Sequence, residues 1–99
     1  TSSDARLKSN IEDAASASDK IDAIQVRQFD WNETGNHQDY GLIAQELQSI
    51  EPMAVTGDAD SDDMMGVDYS KLVPMLIKAV QEQQATIKSL ETRLAALES

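Results

Sequence analysis

The feature that most constrains the fold is an apolar heptad pattern at the end of the sequence. A single helix that carried this pattern would leave an apolar stripe in water, because residues spaced alternately three and four apart share one helix face. Such a stripe is the a/d seam through which helices pack in a coiled coil. The sequence therefore predicts a C-terminal helix that requires partner helices along the seam Val73, Leu76, Val80, Gln83, Ile87, Leu90, Leu94 and Leu97.

The residues around the seam predict where this helix begins and how it pairs. Ser70 is a suitable N-cap, and Pro74 then falls in the first turn, where a missing amide hydrogen costs no intrahelical bond. Arg93 takes a g position and Glu98 the following e position, a spacing suited to an interhelical salt bridge. We expect a coiled-coil helix over residues 70–99, although mixed β-branched and leucine positions do not fix the number of strands.

Composition narrows the classes of fold and function. A chain of 99 residues is long enough for one domain. The absence of cysteine excludes disulfides, thiol catalysis and cysteine-ligated zinc, and it fits a reducing cytoplasm. The net charge of −10 argues against a nucleic-acid partner. No membrane partner is expected, because no apolar run approaches the roughly 20 residues needed to span a bilayer and no signal peptide opens the chain.

The first half of the sequence predicts one helix and one strand. Residues from Asn10 to Ile24 have a modest apolar stripe, and Asn10 is a suitable cap. The run from Gln25 to Trp31 alternates as a strand does, with Phe29 and Trp31 on one side. We expect both aromatic rings to lie in the core, because aromatic side chains at strand spacing usually pack.

A polar loop and a second helix follow. Residues 32–36 have turn composition and lead to the only histidine, His37, which is expected in an exposed connection. A loop histidine is usually only solvated, but one that titrates near neutral pH is also a candidate proton-transfer group. Apolar residues at helical spacing predict a helix from Gly41 to Ile50, which Pro52 ends.

Two short strands, residues 53–56 and 65–69, are predicted on either side of an acidic loop. Asp58, Asp60 and Asp62 have the spacing of calcium ligands, but Asp63 stands where such loops need glycine and Tyr69 where they need glutamate. A solvated hairpin tip explains the same residues, so neither a metal nor a cofactor is expected. Together these elements predict an α+β fold, with a small mixed domain over residues 11–69 ahead of the helix.

The first ten residues carry hydroxyls, a lysine and an arginine ahead of any apolar periodicity, and taken alone they are typical of a solvated tail. The run Ser-Asp-x-Arg-Leu-Lys-x-Asn-Ile, however, resembles the opening of the self-cleaving, endosialidase-type intramolecular chaperone domain of phage tailspikes and tail fibres. Further runs fall in that family's order: Phe29 and Trp31, Gly-Leu-Ile-Ala-Gln-Glu at 41–46, Pro52, Val-Asp-Tyr-Ser-Lys-Leu at 67–72, and the terminal heptads.

The resemblance implies a homotrimer that helps an upstream fibre or spike of the same polypeptide to fold in the host cytoplasm during virion assembly. It also implies autoproteolysis by a serine-type mechanism immediately before Ser3, so that the domain is released from the mature fibre. Residues 1–10 would then be the self-cleavage segment, with the cut between Ser2 and Ser3. By the same resemblance, Ser3 and Lys8 are the catalytic pair.

The implied pair makes chemical sense. A serine hydroxyl is a poor nucleophile until a neighbouring base takes its proton, and a lysine can be that base only when it is neutral. Burial or a nearby cation has to favour the neutral amine, and Arg6 is the obvious candidate, whereas Asp4 would oppose it. Arg6 or a backbone amide could steady the oxyanion, and His37 is a candidate helper.

Other functions stay open on the sequence alone. The main alternative is a trimerisation or capping module that does not cleave, and a scaffold protein with an unrelated heptad tail is more remote. A similar domain also occurs in eukaryotic membrane-bound transcription factors related to myelin regulatory factor, so the fold does not prove a phage origin. Thr1 and Ser2 precede the expected cut, which predicts either a chain that does not cut by itself or an engineered junction.

Overall fold

The structure is a computed structural model that describes residues 2–98, and Thr1 and Ser99 lie outside the described residues. The expected mixture of helices and strands, with a long helix at the C-terminal end, is confirmed. The helices are α1 (Ser18–Ala23), α2 (Ala44–Gln48) and α3 (Val73–Glu98), and the strands are β1 (Arg27–Asp30), β2 (His37–Gly41), β3 (Val55–Thr56) and β4 (Gly66–Val67). Three short 3₁₀ helices occupy Ala5–Leu7, Pro52–Ala54 and Tyr69–Leu72.

Strands β1 and β2 form an antiparallel hairpin in which Phe29 pairs with Gln38 and Asp30 with His37. Strand β2 was absent from the sequence-based prediction, and its five residues, His-Gln-Asp-Tyr-Gly, include no β-branched side chain. Gly41 ends this strand where the ring of Phe29 crosses it. A Cβ atom at Gly41 would lie 2.6 Å from Phe29 Cε2, so glycine is required there by close approach.

The two aromatic residues of the hairpin contact each other edge to face. Their ring centroids are 5.2 Å apart at an interplanar angle of 81°. Phe29 is half-buried, but Trp31 remains 53% exposed and its Nε1 donates a hydrogen bond to Gln38 Oε1 at 3.2 Å. The prediction of a core position is therefore wrong for Trp31 in the single chain, because a two-stranded hairpin has no second sheet to cover it.

The first predicted helix is much shorter than expected. The prediction ran from Asn10 to Ile24, whereas α1 includes only Ser18–Ala23. Asn10 has a φ of 55°, a left-handed conformation that interrupts a right-handed helix. All residues from 2 to 16 are exposed, so no buried face is available to stabilise a helix there.

The elements around the acidic loop are close to the prediction but shorter. Helix α2 begins after Gly41, because that residue belongs to β2. Pro52 opens a 3₁₀ turn, and β3 and β4 then pair antiparallel on either side of the loop, with Val55 opposite Val67. Among residues 2–98, no group of three acidic or histidine side chains is arranged to hold a metal ion.

The core is small and lies where α2, the 3₁₀ turn after it and the 3₁₀ turn before α3 meet. Leu47, Ala54 and Leu72 are its buried members. Partly buried apolar side chains surround them: Ile24, Leu42, Val55, Val67 and Met75. Within the described part of the chain, no helix is both long and apolar enough to cross a membrane.

The long helix begins differently from the prediction. Asp68, rather than Ser70, is the capping residue, and its Oδ1 accepts a hydrogen bond from the Ser70 amide at 3.1 Å. The chain then makes the 3₁₀ turn Tyr69–Leu72 before α3, in which Pro74 is the second residue. Pro74 therefore lies in the first turn, as predicted, where it breaks no helical hydrogen bond.

Candidate processing site

A short 3₁₀ turn brings Ser3 and Lys8 together. Asp4 caps the turn, since its Oδ1 accepts a hydrogen bond from the Arg6 amide at 2.9 Å, and the Lys8 amide closes it on the Ala5 carbonyl at 3.1 Å. The chain thereby reverses direction between Ser3 and Lys8. Lys8 Nζ lies 2.7 Å from Ser3 Oγ, within the range over which a proton can pass between a nucleophile and its base.

In this arrangement Lys8 donates and the Ser3 hydroxyl accepts, as an ammonium group requires. A neutral amine on the same atoms could accept the hydroxyl proton instead. Both residues are exposed in the single chain, so neither has lost its solvent. Their contact supplies the geometry of a serine–lysine pair. The burial that such a pair needs around its base is not provided by the single chain.

Arg6 is held by Asp4 in a two-point contact. Arg6 Nη2 donates to Asp4 Oδ2 at 2.8 Å, and Nε donates to Oδ1 at 3.1 Å. These side-chain bonds and the amide bond from Arg6 lower the pKa of Asp4, and the same contact raises the pKa of Arg6. Arg6 is thus engaged away from the Ser3–Lys8 pair, and its role in steadying an oxyanion stays a prediction that requires the ion pair to open.

His37 lies on the hairpin, not in a loop as the sequence indicated. It is the first residue of β2, with Nδ1 at 2.6 Å from Asp30 Oδ1 and Nε2 at 3.2 Å from Asp39 Oδ1. Within residues 2–98, no hydrogen bond or ion pair joins His37 to Ser3 or Lys8. Its role as a helper in cleavage stays a prediction.

The segment 2–16, here called the processing arm, lies outside the core. Every residue in it is exposed, including Leu7 and Ile11, and the first buried residue is Ala17. At this point the Ala17 amide donates a hydrogen bond to Glu82 Oε1 in α3 at 2.8 Å. The role of Glu82 was not predicted from the sequence, because its partner lies 65 residues away and no local sequence pattern indicates the contact.

The charge state of Glu82 follows from these contacts. Hydrogen bonds from the side chain of Ser16 and the amide of Ala17 lower its pKa below the ordinary value of 4.5, with a smaller contribution from Ser18. Ser18 Oγ donates to Glu82 Oε1 at 3.2 Å. Glu82 therefore stays ionised at neutral pH and is half-buried where the arm meets α3.

The predicted seam of α3 is uncovered in the single chain. Its apolar members are between 47% and 83% exposed. Contiguous apolar surface of this kind usually marks an interface with another protein. The residues concerned are Val73, Leu76, Val80, Ile87, Leu90, Leu94 and Leu97, and the polar Gln83 is also exposed.

The sequence of this chain matches a known protein family. A family model described as "Chaperone of endosialidase" matches residues 3–56, more than half of the chain. The chain belongs to the Chaperone of endosialidase family. The matched part of this chain begins at Ser3 and includes Arg6, Lys8 and His37. Helix α3 lies beyond the matched residues.

Similar proteins include long tail fibre proteins of phages. This member of the Chaperone of endosialidase family is 32% identical over 98 residues to long tail fiber protein Gp37 of Enterobacteria phage K3, with 93% of the chain and 8% of that protein covered. It is also 32% identical over 99 residues to Gp37 of Enterobacteria phage M1, covering 39% of that protein. The chain thus spans less than two fifths of the length of these relatives.

Proposed function

We propose that this chain is an intramolecular chaperone that assists the assembly of an upstream phage tail-fibre or tailspike segment in the host cytoplasm and then releases itself by cleavage before Ser3. The family match and the long tail-fibre relatives support the chaperone role. The exposed seam supports association with further copies of the chain, and three is the number that the trimeric fibres of the family imply. The 2.7 Å contact between Lys8 Nζ and Ser3 Oγ is the observation that carries cleavage.

The proposed reaction is an N-to-O acyl shift followed by hydrolysis. Ser3 Oγ attacks the carbonyl carbon of Ser2, and neutral Lys8 takes the hydroxyl proton and returns it to the departing Ser3 nitrogen. The Ser2–Ser3 peptide bond breaks as an ester forms between the Ser2 acyl group and Ser3 Oγ. Water then hydrolyses the ester, which frees the upstream chain and leaves Ser3 as the new N-terminus.

The test is a fusion of this chain behind its natural upstream fibre segment. The parent should yield two fragments, and N-terminal sequencing of the smaller fragment should begin at Ser3. Ser3→Ala should remain intact, because it lacks the nucleophile, and Lys8→Ala should cleave at least a hundredfold more slowly, since a positioned base contributes about 10²–10⁴-fold. Ser9→Ala and Lys88→Ala are matched controls, which should cleave at the parental rate.

The results separate this proposal from its main alternative. A parent fusion that associates but stays intact for days would support a trimerisation or capping module that does not cleave, which the exposed seam would serve equally well. Cleavage of Ser3→Ala at the same bond would instead point to Ser2 or to an external protease. A parent chain that remains monomeric would contradict both functions.

A further inference from the structure

We propose that Glu82 is a positioning residue that fixes the processing arm on α3, and that it thereby sets the rate of the cleavage proposed above. The inference rests on that proposed cleavage, although the anchoring itself is measurable without it. Glu82 touches neither Ser3 nor Lys8. It acts through Ala17, the residue at which the exposed arm joins the buried part of the chain.

Glu82 supplies the cap that α1 lacks locally. Ala17 occupies the N-cap position of α1 and has no side chain that could accept a hydrogen bond. Glu82 Oε1 takes that place, with the Ala17 amide at 2.8 Å and Ser18 Oγ at 3.2 Å. The first amides of a helix have no intrahelical partner, and a carboxylate at this end also meets the positive end of the helix dipole.

A helix of six residues depends on such a contact. Isolated helices shorter than about 12–15 residues are marginal in water, because nucleation costs more than a few backbone bonds return. Without Glu82, the polar start of α1 would be left to solvent, and the arm would be tethered only by the remainder of the helix. The point at which the arm joins the body of the protein is therefore held only while α3 is helical at Glu82.

The anchor also lies at the edge of the seam. A shallow cavity next to it is lined by Ser18, Glu82, Gln83, Thr86 and Ile87, and two of these, Gln83 and Ile87, are seam residues. Neighbouring helices that cover the seam would exclude water from this cavity. A hydrogen bond to a carboxylate is stronger where the local dielectric constant is lower, so association would tighten the anchor.

The experiment compares Glu82→Ala, Glu82→Gln and the control Glu91→Ala in the cleavable fusion. Glu82→Ala should increase hydrogen exchange at the Ala17 amide at least tenfold, because its acceptor is lost. It should also slow cleavage about tenfold or more, because the arm that carries the reacting pair would be displaced from the groups that neighbouring chains bring to it, and a displacement of about 1 Å costs up to a hundredfold in rate. Glu82→Gln retains an acceptor oxygen and should lie between Glu82→Ala and the parent, whereas Glu91→Ala should match the parent in both measurements.

Light scattering on each variant shows whether association is retained. Unchanged exchange at Ala17 in Glu82→Ala would overturn the anchor, and faster exchange with parental cleavage would overturn the positioning role. If Glu82→Ala does not assemble, Glu82→Gln decides: exchange at the Ala17 amide and cleavage both at parental values would contradict the intermediate behaviour predicted for this variant and overturn the positioning role of the Glu82 carboxylate. A parent fusion that never cleaves would refute the proposed cleavage and the positioning role together, while the exchange measurement would still decide the anchor.

Discussion

Leu72 and Val73 are neighbours in sequence, but Leu72 is 6% exposed in the core and Val73 is 51% exposed on the seam. Leu72 ends the 3₁₀ turn and Val73 begins α3, so the boundary between the core and the exposed seam falls between these two residues. Helix α3 continues this division along two faces. One face, which includes the buried Ala79 and half-buried Met75 and Glu82, packs on the rest of the chain. The adjacent apolar face, which carries the seam, is exposed to solvent in the single chain. The long helix therefore has one face for the body of the domain and another that is available to partner helices.

Charges in the seam should prevent association. In the double variant Ile87→Asp, Leu90→Asp, each carboxylate would have to be buried between helices at a cost on the order of several kcal/mol. We expect a monomer by light scattering, and from the parent we expect the trimer proposed above. The double variant Ser89→Asp, Thr92→Asp adds the same charge to α3 outside the seam and should associate as the parent does.

The same pair of variants tests whether cleavage waits for assembly. In the fusion, the seam variant should remain uncleaved while the control is processed, because we expect the reacting groups to reach their productive positions only when neighbouring chains have associated. Full-rate cleavage in a species shown to be monomeric would break this coupling even if Ser3 and Lys8 are the catalytic pair. A dimeric parent would contradict the proposed trimer.

The parts predicted correctly from the sequence are those set by local patterns. The apolar spacing along α3 predicted both the long helix and the exposure of its seam in one chain. The first helix was predicted too long because its modest apolar stripe has nothing to pack on before Ala17, and local spacing does not reveal this. Strand β2 was missed because its pairing with β1, not its own composition, makes it a strand.

In the candidate site, too, local contacts could be predicted from the sequence and long-range contacts could not. Ser3 and Lys8 are five residues apart, so a short turn is sufficient to bring them together, and a motif can signal it. Glu82 meets Ala17 across 65 residues, and His37 meets Asp30 through the register of a hairpin. Contacts of this kind depend on how distant segments pack or pair, and this cannot be predicted from local patterns in a single sequence.

Removal of a buried side chain should destabilise the domain strongly. Leu47 is 2% exposed and packs with Ala54 and Leu72, so Leu47→Ala would leave a cavity in a core with few other members. We expect a loss of about 2–5 kcal/mol in the free energy of unfolding, measured by urea denaturation at a fixed protein concentration. Leu7→Ala, at a position 70% exposed, should change it by less than about 0.5 kcal/mol.

The ion pair between Arg27 and Glu46 should make stability depend on pH in the acid range. Arg27 Nη2 lies 2.7 Å from Glu46 Oε2, and this hydrogen bond lowers the pKa of Glu46 below 4.5. A carboxyl group whose pKa is lowered by folding stabilises the protein above its unfolded pKa. That contribution is lost as the pH falls through the lower folded value.

Urea midpoints at pH 7 and pH 3 check this prediction. Glu46→Gln should lower the midpoint at pH 7, whereas at pH 3 the variant and the parent should approach each other. The difference at pH 7 should shrink in 1 M salt, because both side chains are partly exposed. Glu33→Gln, in the turn between β1 and β2, is the control and should leave the pH dependence of the parent unchanged.

Neutralising Asp4 should speed cleavage. Asp4 adjoins Ser3 and holds Arg6 at 2.8 Å in an ion pair, so Arg6 is not free to steady the oxyanion proposed at the Ser2 carbonyl. Asp4→Asn keeps an oxygen that can accept the Arg6 amide, and therefore preserves the cap of the turn. In the cleavable fusion, we expect a several-fold faster reaction at pH 7, because Arg6 is released from its ion pair, whereas Asp13→Asn in the same arm should behave as the parent. A slower reaction with the turn intact would mean that Asp4 assists the chemistry by holding Arg6 in place.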